Sequence, residues 1–204
     1  MALNNFNEFN DMHKSFLQEI GNMGTANAAT EISKMFSSPT DISTPQVRIN
    51  PAVIAGKVAD MLCANAETFR ITLCEDIKGS LLFIFPYATI ERLVSAFFPG
   101  TSVKGKDDMN EMTLSTVQET VNISAASYAN CMALMAGLTV DISVPNAVAV
   151  PSKELAEIIN ACGGAACSVK TTIEFTDSHS QFDVIFYPEV STMASFMGKI
   201  GLEC

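Results

Sequence analysis

SFLQEIGNMGTANAATEISKMFSSPTDISTP, residues 15–45, aligns without a gap to STVQETVNISAASYANCMALMAGLTVDISVP, residues 115–145. A self-match at a constant offset of 100 residues means that one structural plan is used twice. The identities are Ser15/Ser115, Gln18/Gln118, Glu19/Glu119, Asn22/Asn122, Ala26/Ala126, Ala29/Ala129, Met35/Met135, Asp41/Asp141, Ile42/Ile142, Ser43/Ser143 and Pro45/Pro145. Met12/Met112 and Pro51/Pro151 extend the register outward.

Beyond these identities the halves agree as pattern. Residues 51–66 and 151–162 each read as a helix opened by proline. Alternating or β-rich runs follow: TFRITLCED from Thr68 and SLLFIFPY from Ser80, then VKTTIEF from Val169 and FDVIFYP from Phe182. A turn at Lys78-Gly79 joins the first pair and TDSHSQ from Thr176 the second, which predicts two hairpins. Short amphipathic helices, ATIERLVSAFF from Ala88 and EVSTMASFM from Glu189, close the halves. The expected architecture is α+β with a pseudo-two-fold internal duplication. An antiparallel sheet is shared by the halves, and two long motif-bearing helices are exposed on one side. The chain is expected to be a single domain of two repeats, about 11–98 and 111–204, joined by a linker near 99–110.

Composition narrows the function. With 204 residues and 48% hydrophobic content the chain can bury a core, and a net charge of −10 leaves no basic patch for a phosphate backbone. Nucleic acid is therefore excluded as a partner, and protein or small-molecule partners are favoured. Six cysteines without a repeated CxxC and eleven methionines fit a reduced cytoplasm. The N-terminus lacks a signal-peptide pattern, and no apolar run approaches the roughly 18 residues needed to span a bilayer. Secretion and membrane insertion are not expected, and a monomer is.

At about 100° per residue, Met12, Phe16, Leu17, Ile20 and Met23 share one arc and read as a core face. Ser15, Gln18, Glu19, Asn22, Ala26 and Ala29 share a second arc, and these residues recur in the other half. Core positions drift, as Phe16 to Thr116 and Ile20 to Thr120, while this second stripe does not. A single exposed Glu-Asn pair usually marks nothing more than a solvated helix face; its duplication argues otherwise. Gly21 and Gly24 become Val121 and Ser124, so the glycines are not the common requirement, and a Gly-rich phosphate cradle is disfavoured. They predict a barer, more flexible first helix and a more rigidly presented second one. Pro45 and Pro145 read as structural, setting the chain after each helix.

Ser-x3-Glu-x2-Asn followed by proline after 22 intervening residues occurs as Ser15, Glu19, Asn22, Pro45 and as Ser115, Glu119, Asn122, Pro145. This pattern resembles the signature of the CheC/CheX/FliY family of chemotaxis phosphatases, across almost the whole chain. CheC is the nearer expectation, because FliY would carry a further C-terminal domain with no room before Cys204. The resemblance implies hydrolysis of the aspartyl phosphate of a CheY-type response regulator. It implies that Asn22 and Asn122 orient the attacking water, and that Glu19 and Glu119 contact the receiver's active site. Ser15, Ser115, Ala26 and Ala126 flank the contact. No cofactor or metal of its own is implied; Mg²⁺ belongs to the receiver. CheD is implied as a further partner, with residues 151–162 as its candidate surface.

The chemistry is coherent. A carboxamide offers an acceptor and two donors to hold a water without titrating, and a phosphorylated receiver needs positioning and electrostatics rather than a new nucleophile. Other constellations are weaker. Cys162 and Cys167 lack zinc spacing, and neither His13 nor His179 has a companion. Ser124 and Ser127 lack a base or a GxSxG context. Cys74, Cys167, Met132 and Met135 read as core. A non-catalytic docking module for a receiver or a CheD-type protein is the alternative, one that does not require asparagine in particular.

Overall fold

The computed structural model describes residues 6–51, 65–148 and 165–199, together with Lys153, Glu157 and Gly201. The predicted helices over 51–66 and 151–162 lie mostly outside these residues; Pro51 closes one strand and Ala66 opens the next.

Two 26-residue helices, α1 (Asp11–Phe36) and α3 (Glu111–Ala136), begin and end alike. Asn10 Oδ1 accepts from the His13 amide and Asn110 Oδ1 from the Thr113 amide, both at 3.0 Å, satisfying amides that the helix leaves unpaired. At the far ends Ser37 (φ 48°) and Gly137 (φ 60°) take left-handed backbone, which turns the chain towards the sheet. Two shorter helices, α2 (Tyr87–Phe97) and α4 (Val190–Lys199), follow the hairpins within a residue or two of the predicted starts.

The strands are β1 (Thr40–Ile42), β2 (Gln46–Pro51), β3 (Ala66–Glu75), β4 (Gly79–Pro86), β5 (Val140–Ile142), β6 (Asn146–Ala147), β7 (Ala165–Phe175) and β8 (Ser180–Pro188). They form one sheet in the order β1-β7-β8-β4-β3-β5, with β2 also on β7 and β6 also on β3. All pairings are antiparallel. Hairpins β3–β4 and β7–β8 meet at the centre, where Leu82 faces Ile185. The edges are exchanged. Thr40 faces Phe175 while Val140 faces Glu75, and Gln46 faces Lys170 while Asn146 faces Arg70. Adding 100 to one partner and subtracting it from the other converts each pair into its counterpart, so the first half's outer strands complete the second half's hairpin, and the reverse.

The main cluster of buried apolar side chains among the described residues lies between one sheet face and the four described α-helices, while Leu82, Ile84 and Ile185 are buried on the opposite face. Phe69, Ile71, Phe83, Phe85, Phe182, Val184 and Phe186 come from the sheet, and Leu17, Ile20, Ile90, Leu93, Val117, Val121 and Phe196 from the helices. Phe85 stacks on Phe182 at 4.5 Å, across two non-sequential strands. The segment between halves is packed as well: Val103 is buried, and its amide donates to Glu91 at 2.9 Å.

Two sequence expectations need correcting. Cys74 is exposed, because β3 alternates and Phe69, Ile71 and Leu73 take its inward positions. Met12, assigned to the core face, is 50% exposed. The buried arc of α1 instead runs through Leu17, Ile20, Gly21, Gly24, Thr25, Ala28 and Ile32, so it is built largely of small residues.

Candidate functional site

The small residues of α1 decide where its polar stripe points. A Cβ on Gly21 would stand 2.5 Å from a Val169 methyl and 3.3 Å from the Pro45 ring; one on Gly24 would stand 2.8 Å from two ring atoms of Tyr128. Sheet and neighbouring helix thus approach the α1 backbone on one side, and both glycines are there for close contact rather than for a bare helix. In the other repeat Ser124 and Ala28 occupy the positions of Gly24 and Tyr128, so a small-large pair on one side answers a medium-small pair on the other. Seen down α1, Ser15, Glu19 and Asn22 lie well away from both contacts, and all three are exposed. Ser115, Glu119 and Asn122 are exposed on α3. Ala26 and Ala126 are half-buried, and Ala29, expected on the open stripe, is buried at 5% exposure.

The α1 stripe forms one wall of a shallow cleft of about 330 Å³, lined by Ser15, Gln18, Glu19 and Asn22 and, opposite, by Ile42, Ser43, Thr44 and Pro45. Ala26 lies beyond this cleft. Ala126 lines a second, larger groove between α1 and α3 with Met23, Ile123, Leu134 and Met135.

The opposite wall is a corner between β1 and β2. Its geometry follows from Ser43, whose amide donates to the Thr172 carbonyl while its hydroxyl accepts from the Thr172 amide, both at 2.9 Å. Ser143 makes the same exchange with Thr72, at 2.9 and 3.0 Å. The conserved-in-duplicate serine therefore bridges a break in the ladder where the chain passes from one short strand to the next. Pro45 is buried, and its carbonyl accepts from Gln18 Nε2 at 3.3 Å.

Among the described residues, no hydrogen bond or ion pair occupies the side chains of Glu19, Asn22, Glu119 or Asn122. Adjacent Glu and Asn side chains at i and i+3 present two carboxylate acceptors, one amide acceptor and two amide donors to anything that docks. Among the same residues no three His, Cys, Asp or Glu side chains gather as a metal site, and no helix is long and apolar enough to cross a membrane.

Elsewhere, polar clusters serve the scaffold. Arg92 lies 3.8 Å over the Phe175 ring and reaches both Asp177 oxygens at 3.0 Å, Ser38 Oγ at 2.7 Å and Ser178 Oγ at 2.7 Å. It ties α2 to the end of α1 and to the β7–β8 turn. The Ser38 hydroxyl, and then Arg92, hold the Asp177 carboxyl below its ordinary range. Between the long helices, Asn27 Nδ2 donates to Cys131 Sγ at 3.2 Å; burial pushes that thiol up, partly offset by this bond.

Sequence reasoning missed the caps Asn10 and Asn110, although both precede an acidic residue and stand 100 residues apart. It also read Gln18 as one more member of a polar stripe, with nothing in the local pattern to reveal its partner 27 positions away.

Comparison with known proteins converges on this region. The CheC-like family model matches residues 12–49 and 112–148, the two segments that carry helix, corner and first strands. The chain is 27% identical over 186 residues to the CheY-P phosphatase CheC of Bacillus subtilis, covering 86% of each protein. It is 25% identical over 138 residues to the flagellar motor switch phosphatase FliY of the same organism, over 68% of this chain and only 36% of that protein's length. The crystal structure of Thermotoga maritima FliY shares the fold, with a TM-score of 0.75, 18% identity, and coverage of 94% of this chain and 98% of that one.

Proposed function

The chain belongs to the CheC/CheX/FliY family, and from that premise we propose that it is a phosphatase for the aspartyl phosphate of a CheY-type receiver in chemotaxis. The observation that carries the reading is the repeated Glu-Asn pair: twice on equivalent helices, exposed both times and, among the described residues, unengaged both times by other polar groups.

In this reading the receiver supplies the phosphorylated aspartate together with the Mg²⁺ and lysine beside it. The carboxamide of Asn22, or of Asn122, enters that site and holds a water in line with the phosphorus. Positioning of this kind removes the orientational cost of a bimolecular attack. It needs no base, since the phosphoryl group leaves through a loose transition state whose charge the metal and lysine offset. Glu19 or Glu119, one turn away, pairs with the receiver's lysine and sets the depth of entry. Ser15 and Ser115 sit at the edge of the contact; Ala26 and Ala126 let the partner surface approach. The two repeats act as one unit carrying two sites, and CheD would be a second partner.

The test is the decay of a phosphorylated CheY-type receiver in the presence of Mg²⁺, alone and with intact protein, Asn22→Ala, Asn122→Ala or the double variant. Acceleration by the intact protein, lost in a double variant whose circular dichroism is unchanged, is the expected result. Binding of the receiver without any change in its lifetime would replace this reading with the docking one.

A further inference from the structure

Gln18 is identical to Gln118 across the repeat but lies outside the Ser, Glu, Asn and Pro spacing that defines the motif. Its side chain does something the others do not: it crosses the cleft. Nε2 donates to the Pro45 carbonyl at 3.3 Å, joining the helix wall to the corner wall. One turn further along α1, the bare backbone of Gly21 receives the Pro45 ring, with 3.3 Å between the ring and the place a Cβ would occupy. The far side of the corner is held by the reciprocal Ser43 and Thr172 hydrogen bonds. Proline removes one further torsion. Residues 43–45 are thus gripped from three directions, and Gln18 is the grip on the cleft side.

We propose that Gln18 is a positioning residue that holds the Ser43–Thr44–Pro45 corner at a set distance from Glu19 and Asn22, so that a partner meets a cleft of ready-made width. This rests on the phosphatase reading above. The corner would act as a docking wall rather than as chemical machinery. Glu19 and Asn22 are carried by the helix whether or not the corner stays in place. Losing the bond therefore removes binding that ground state and transition state share, which raises KM and leaves kcat nearly unchanged.

The experiment uses the full chain with Asn122→Ala, so that only the first site turns over, and measures kcat and KM for a phosphorylated CheY-type receiver. Into this background go Gln18→Ala, Gln18→Glu, which keeps the shape and loses the donor, and Gln18→Lys, which keeps a donor. The expected result is a KM raised about 3- to 10-fold with kcat within about twofold for Ala and Glu, and recovery of much of the loss with Lys. A fall in kcat at constant KM, or parameters equal to those of Asn122→Ala alone for all three variants, would overturn the proposal. If the parent shows no turnover while the unsubstituted protein shows it, the first site is inactive and the proposal falls with it. If neither accelerates decay, the phosphatase reading itself has failed. Thermal unfolding of each variant separates a displaced wall from a lost fold.

Discussion

Replacing Gly24 by alanine should destabilise this protein, although the same change in an exposed helix would stabilise it. The helix gains about 1 kcal/mol from the better intrinsic propensity of alanine. Against this, the new Cβ would lie 2.8, 2.8 and 2.9 Å from Cε2, Cζ and Cδ2 of Tyr128. Carbon atoms rest at about 3.5–4.0 Å, so the overlap is close to an ångström along one edge of a rigid ring. The ring has little room to retreat, being 1% exposed and backed by Phe186 at 5.9 Å. Overpacking of this kind costs about 1–3 kcal/mol, and three simultaneous contacts argue for the upper end, leaving a net loss of about 2 kcal/mol. In a Tyr128→Ala background the clash is gone and the gain of about 1 kcal/mol remains, so Gly24→Ala changes sign. The coupling between the two sites is then about 3 kcal/mol. Urea unfolding of the four proteins of this cycle, compared at constant slope, measures it directly. A higher midpoint for Gly24→Ala in the otherwise unchanged protein, or the same shift in both backgrounds, would refute the packing argument.

Three further outcomes follow from the same structure. Ser37→Gly should raise stability by about 0.5–1 kcal/mol, since Ser37 sits at φ 48° where the other repeat already has Gly137 at φ 60°; Gly137→Ser should lower it by a similar amount in the same unfolding assay. Asn10→Ala and Asn110→Ala should each cost about 1 kcal/mol, and nearly additively, because they cap different helices. Asp177 has a folded-state pKa depressed by Ser38 and Arg92, so its contribution is present above the ordinary carboxylate value and is lost as pH falls through the lower folded value. The stability gap between the unsubstituted protein and Asp177→Asn, read from urea midpoints, should therefore close below about pH 4 and stay constant from there towards neutrality.

Much of this fold was legible because it is local. The 3.6-residue period, the alternation of β3 and the two hairpin turns each live within a dozen residues, and the self-match at 100 residues tied the halves together. The buried face of α1 was misjudged for a specific reason. Hydrophobicity favoured Met12, Phe16 and Met23, whereas Val169, Pro45 and Tyr128 approach the helix through Gly21 and Gly24, and close approach selects for absence of side chain rather than for apolarity. The exposure of Glu19, Asn22, Glu119 and Asn122 could be read from helical geometry alone. The corner facing Glu19 and Asn22 could not, because Ser43 is set by Thr172, a residue 129 positions away that no local pattern connects to it.

That distance has a further meaning. Asp41 pairs with Glu174, and Asp141 with Cys74, so each half lends its outer strands to the other. Neither repeat owns a finished sheet. A chain cut in the 99–110 segment would yield two fragments with raw edges, each missing the strands that the other holds, and a fragment carrying one repeat would have to turn its outer strands back onto its own hairpin or exchange them with a second copy. Growth from the ribosome imposes the same wait: β1 and β2 must remain unpaired until β7 has been made, so the assembly is committed late and all at once.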